Sequence, residues 1–219
     1  MSLFQNTHFS DELKQRESWF FLGLIEARGI SKSQLNKIVK NAKASFSDTI
    51  HSEKVKIREN IGVYDAFFNS RGFANPLSEQ FNQTEKSGIP SSLPFVESLL
   101  MCEMASGILM GVHDADEIQT GLTLDVAHEG EILEGMRGPL ACKAGEIVLR
   151  DSKGIIASYF QGPDQRTRVK SATKNLILFV LPAPGLKENV IQDALNRAAE
   201  LLKPACENIE SGILKPIQK

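Results

Sequence analysis

The residues of this chain whose types and spacing could carry chemistry lie between Met110 and Phe179. His113-Asp114-Ala115-Asp116-Glu117 sets one imidazole beside three carboxylates. Consecutive carboxylates converge on a hard cation only where a loop folds around the ion, and no second histidine stands at zinc-ligand spacing. The alternative is an acidic turn in which Asp114 or Asp116 caps backbone N–H groups. Arg166, Arg168 and Lys170 alternate, so in an extended segment they share one face. That face suits either a short run of phosphates or a solvated edge strand guarded by cations.

A protein nucleophile is not indicated. His8 falls in a polar N-terminal arm, His51 at a helix start and His128 in a turn, which leaves His113. There is no Gly-x-Ser-x-Gly elbow and no glycine-rich phosphate loop after a strand. Ester chemistry would rest instead on a held water and on donors for a developing oxyanion. Gly111, Gly162 and Thr167 are the positions that could supply them. Cys102, Cys142 and Cys206 are far apart and form no Cys-x-x-Cys pair, so neither a structural zinc nor a redox couple is indicated. No metal and no cofactor is expected. Nothing around Cys142 lowers its pKa, and Tyr64, Tyr159 and Phe160 are the aromatics near these segments that could stack on a base or simply be core.

A formal net charge of −2 and a pI near 6.1 argue against a duplex-DNA binder, whose affinity comes from neutralising phosphates. Contact with RNA would be local and weak. The N-terminus lacks a basic segment followed by an apolar one, and the longest apolar run, Leu176 to Leu181, is too short to cross a bilayer. A reduced, cytoplasmic protein without a membrane partner is expected.

Positioning these residues falls to elements read from periodicity. Residues 1–17 are polar and read as a loose arm, residues 18–205 as a single domain, and residues 206–219 as a tail. Trp19 to Ile25 reads as a strand covered on both sides. Leu35, Ile38, Val39, Ala42 and Phe46 mark one helix, capped by Ser31 or Ser33, and Ile57, Ile61, Tyr64 and Phe68 a second. Phe73 to Ser92 reads as loop with a short helix inside it. Pro94 opens a third helix with Val96, Leu99, Leu100 and Met104 inward, widened by Phe95, Met101 and Cys102. Beyond Leu109 the period becomes two. Leu122 to Val126, Ile147 to Leu149, Ile155 to Phe160 and Leu176 to Leu181 are strands, with a hairpin turn at Asp151-Ser152-Lys153-Gly154. Val190 to Leu202 is the last helix, stopped by Lys203-Pro204. The pattern is α+β, helices packed on a mostly antiparallel sheet.

Asp114-x-Asp116-x-Ile118 with Gly121, then Gly145-Glu146-Ile147-Val148 with Asp151 and Gly154, then Arg166-Thr167-Arg168 and Thr173-x-Asn175, follow one another over about seventy residues. In that order and spacing the chain resembles the tRNA-editing domain (B3/B4 domain) of the phenylalanyl-tRNA synthetase beta subunit. It is more similar still to the free-standing proteins that carry this domain without a synthetase. The resemblance covers about Ile61 to Leu181 and implies the editing-domain α+β fold, the aminoacyl end of tRNA as partner, and hydrolysis of mischarged aminoacyl-tRNA in trans as the activity. It puts Met110, His113, Asp114, Gln161, Arg166, Arg168 and Phe179 in the substrate pocket, and Arg166, Arg168 and Lys170 against RNA.

The chain departs from that pattern at three places. Gly111 stands where the synthetase domain has a pocket histidine, while His113 takes the place of the following aromatic residue. Phe179 stands where a glutamate holds a tyrosine hydroxyl, and Phe160-Gln161-Gly162-Pro163 replaces a Trp-Asn-x-Arg type run. The same residues therefore admit a second reading, a non-catalytic binder of a free amino acid or small carboxylate. Arg166 or Arg168 would then hold the carboxylate over an apolar floor of Phe179 and Met110.

Overall fold

The computed structural model describes residues 2–216. The chain opens with β1 (His8–Phe9), α1 (Asp11–Arg16) and β2 (Leu22–Arg28). Three helices follow, α2 (Lys32–Ser70), α3 (Pro76–Ser87) and α4 (Pro94–Ser106). Next come β3 (Met110–Asp114), β4 (Thr123–Val126), the hairpin β5 (Ile132–Gly135) and β6 (Gly138–Ala141), and the hairpin β7 (Ile147–Asp151) and β8 (Gly154–Ser158). The chain ends with β9 (Gly162–Pro163), β10 (Leu176–Val180), α5 (Glu188–Leu202) and β11 (Asn208–Leu214).

One sheet runs β11-β2-β10-β3 and is antiparallel throughout. A second runs β1-β4-β7-β8-β9 and is antiparallel except for the β1–β4 pair. The fold is α+β, with α4 and α5 packed on the first sheet and α2 against α4. Both β2 and β10 are buried along nearly their whole length, which is why their sequences are apolar without alternation. Gly23 marks the closest approach in this layer. A Cβ there would lie 2.9 Å from Val180 Cβ and 3.4 Å from Leu195 Cδ1, so only glycine lets β2 pass beneath α5. The second sheet shares the same core through Leu124, Ile147, Leu149 and Ile156.

Several expectations are corrected. The two helices read over 35–68 are one continuous helix of 39 residues, because nothing between Phe46 and Ile57 breaks it; Ser31 is its N-cap. Phe73 to Ser92 is less loop than expected, since Asn75 caps α3 and Leu77 and Phe81 are buried. In α4 Met104 is buried as expected, together with Phe95, Ser98, Met101, Cys102, Glu103 and Ala105, while Val96, Leu99 and Leu100 are only half-buried. The N-terminal residues are not a loose arm. Ser10 caps α1, Leu13 is buried, and β1 extends the second sheet. A single apolar anchor among polar neighbours leaves no periodic trace. Residues 208–214 are not a tail either but an edge strand paired with β2 from Asn208↔Arg28 to Leu214↔Leu22. No helix among the described residues is long and apolar enough to cross a membrane.

Candidate functional site

A cavity of about 350 Å³ lies between the two sheets, beside α3 and α4. The β3–β10 register sets its first wall: Gly111 pairs with Phe179 and His113 with Ile177, so Gly111, His113 and Phe179 share one face. A Cβ on Gly111 would meet Phe179 Cδ2 only at 4.0 Å, so the glycine leaves open space rather than filling a gap. Leu124, Ile147 and Leu149 form the opposite wall, and α4 contributes Leu99 and Glu103. Ala74, Pro76 and Pro163 are the exposed lining residues and form the rim. Next to it Phe73 stacks on Phe160 with centroids 4.8 Å apart, and Lys143 Nζ sits 4.0 Å over the Phe73 ring.

The polar groups are few. Glu103 is buried, and its Oε1 accepts the Met110 N–H at 2.8 Å. Burial pushes its carboxyl up to about 8, against the opposing effect of that backbone bond. Gln80 Oε1 is buried without a hydrogen-bond partner among the described residues. His113 is buried, packs edge-on to Phe179 at 5.6 Å, and has Nδ1 2.6 Å from Thr167 Oγ1. Burial, aided by the nearby Arg166 guanidinium, holds its imidazole down at about 4, so the ring is neutral. Ser158 donates to Glu146 Oε1 and accepts the Phe160 and Gln161 N–H groups, each at 3.1 Å. Its lone pairs are thereby committed, and it is no ready nucleophile. No lysine or arginine among the described residues lines the cavity.

No protein-family model and no curated protein sequence matches this chain. Among solved structures it is similar to an N-terminal fragment of the phenylalanyl-tRNA synthetase beta subunit from Pyrococcus horikoshii. The TM-score is 0.49 and the identity 13%, over 95% of this chain and 50% of that one. The chain thus spans half the length of that fragment. A likeness of this degree says nothing about activity or substrate.

The residues singled out from the sequence separate into two groups. Met110, Gly111, His113, Gln161, Gly162 and Phe179 line the cavity. Gln161 is held there by Glu146, 2.8 and 3.1 Å from its Nε2, and by the Ala141 carbonyl. Asp114, Thr167, Arg166, Arg168 and Lys170 do not line it. Asp114 accepts from Thr173 Oγ1 at 2.5 Å and from the Asp116 N–H at 3.1 Å, so it is the capping turn rather than a ligand contact. Arg166 is spent inside the fold: Nη2 lies 2.9 and 3.0 Å from the fully buried Asp151 carboxylate, and Nη1 donates to the Glu117 carbonyl. Lys170 pairs with Glu117 at 2.7 Å, and Arg168 donates to the Gln165 carbonyl. Residues 166–170 form no strand, so the alternating basic stripe does not exist. Tyr64, Tyr159 and Phe160 are buried in the core. Burial, with the Glu146 and Glu131 charges nearby, pushes the Cys142 thiol up to about 11. No group of three or more His, Cys, Asp or Glu side chains among the described residues could hold a metal ion.

Glu103 and Gln80 were not singled out from the sequence. Glu103 did leave a signal, the single ionisable residue inside the apolar run from Leu99 to Ala105. Gln80 left none, because α3 is polar around it.

Proposed function

We propose that this chain is a relative of the synthetase beta-subunit editing domain whose cavity holds an amino acid in esterified form, as at the aminoacyl end of a tRNA. The order of the motifs in the sequence supports the family. The cavity's chemistry supports the ligand. Its walls are apolar, and no cationic side chain among the described residues lines it. The polar groups it turns to a ligand include the unpartnered Gln80 Oε1 and the Glu103 carboxyl, whose Oε1 already accepts the Met110 N–H. A free carboxylate buried there would find no counter-charge, which costs several kcal/mol. An ester carries no such charge, and its α-ammonium is the donor that Gln80 Oε1 lacks and a counter-charge for the Glu103 carboxylate. An ammonium beside Glu103 would favour the ionised carboxylate, whose proton is released to solvent as the ligand binds.

The reading is of binding rather than cleavage. A neutral imidazole near 4 is a weak base at physiological pH, and the Ser158 lone pairs are already occupied. Contact with the rest of a tRNA would be slight, since Arg166 and Lys170 are neutralised within the fold.

Thermal unfolding with leucine and phenylalanine methyl esters, set against the free amino acids, tests this. At a hundred times its dissociation constant a ligand adds about 2.7 kcal/mol of stability. The esters should stabilise the protein and the free amino acids should not, and charged tRNA should bind better than uncharged tRNA with no deacylation above background. Equal stabilisation by free amino acids would overturn the ester reading in favour of a free-amino-acid binder.

A further inference from the structure

We propose that His113 is a fixed hydrogen-bond acceptor in the cavity wall, held in one tautomer by Thr167 and Asp164, and that it selects ligands whose apolar part carries a neutral O–H or N–H donor. This rests on the reading of the cavity given above and goes beyond it. Asp164 is buried, and its Oδ1 accepts both from the Thr167 hydroxyl and from the Thr167 N–H at 3.0 Å. Its Oδ2 lies 3.7 Å from Arg166 Nε. A carboxylate offers acceptors only, so the single Thr167 hydroxyl proton points to Asp164. At 2.6 Å from His113 Nδ1, Thr167 Oγ1 can then only accept, and the ring proton must sit on Nδ1.

The geometry cannot relax easily. Thr167 is fully buried, and its carbonyl accepts the Asp114 N–H at 2.7 Å, which ties its backbone to the residue after His113. The Phe179 edge holds the ring from the other side. Nε2 is therefore an unprotonated lone pair on a ring that lines the cavity, and it has no partner among the described residues. A ligand lacking a donor leaves that acceptor unsatisfied. A ligand hydroxyl without His113 would itself be buried unpaired, and either mismatch weakens binding by about five- to a hundredfold.

The test has two parts. Histidine-labelled protein is examined by long-range proton–nitrogen NMR, with the His113 signals assigned by their loss in His113→Phe. The Nε2 resonance should be of the unprotonated type and Nδ1 of the protonated type, and Thr167→Val should mix the two tautomers. A protonated Nε2 in the unaltered protein, or no change in Thr167→Val, overturns the lock. In the second part, n-butylamine, n-pentylamine and n-hexylamine are titrated beside 4-amino-1-butanol, 5-amino-1-pentanol and 6-amino-1-hexanol. At least one amino alcohol should bind about fivefold or more tightly than its parent amine, and in His113→Phe each should bind about tenfold more weakly than its parent. Amines that bind while no amino alcohol binds more tightly than its parent in the unaltered protein would sink this inference alone. Binding of none of the six would remove the amine reading of the cavity and this inference with it.

Discussion

Replacing Glu103 by glutamine should change the pH dependence of stability in a way that can be worked out beforehand. Glu103 titrates near 4.5 when unfolded and near 8 in the fold, because burial disfavours its charge. Between those values the folded protein holds a proton that the unfolded chain has lost. Its contribution is fully present below pH 4.5 and is lost as pH rises through 8, at about 1.4 kcal/mol per pH unit and about 5 kcal/mol in all. His113 works in the opposite sense, with a folded value near 4 against 6.5. Its contribution is present above pH 6.5 and is lost as pH falls through 4. The two slopes cancel between pH 4.5 and 6.5, leaving the protein nearly flat there and falling above 6.5. Glutamine keeps an oxygen for the Met110 N–H and does not titrate. Glu103→Gln should therefore gain about 3 kcal/mol at pH 7, and its advantage should grow steadily from pH 4.5 to 8. Urea unfolding followed by circular dichroism at constant ionic strength measures both curves. A difference between them that does not vary with pH would refute the reasoning.

Arg166→Ala should destabilise the fold by about 3 kcal/mol, because it strands the buried Asp151 carboxylate, while leaving ligand affinity in the cavity within about twofold; chemical unfolding and ester titration read the two separately. Gly111→Val should fold, since the space over Phe179 is open, yet weaken binding of the larger esters by filling that space, as calorimetric titration would show. Binding of charged tRNA, measured by anisotropy at several salt concentrations, should show a shallow slope of about −1.4 to −2.8, the value for two to four phosphates. A steep slope would reveal a basic surface that the paired Arg166 and Lys170 do not provide.

Periodicity was enough for the α+β class and for five of the eleven strands among the described residues, β2, β4, β7, β8 and β10, because these bury whole faces and their residue types follow from that. The resemblance, not periodicity, drew attention to Gly111 and Phe179 and to His113 beside them, and only the β3–β10 register shows that the three share one face. Sequence alone could not separate a helix pair from one long helix over 32–70, since local propensity is the same in both and only packing against α4 and α3 decides. Nor could it show that Leu13 and residues 208–214 belong to the core and the sheet, because a lone anchor and an edge strand carry no period. The largest change concerns charge. In sequence Arg166, Arg168 and Lys170 are three free cations on a stripe; in the fold, Asp151, Glu117 and the Gln165 carbonyl meet them. Pairing is a property of distance in space. Glu103 shows the converse, a carboxyl whose proton affinity is set by the low-dielectric interior around it, which no neighbour in sequence supplies.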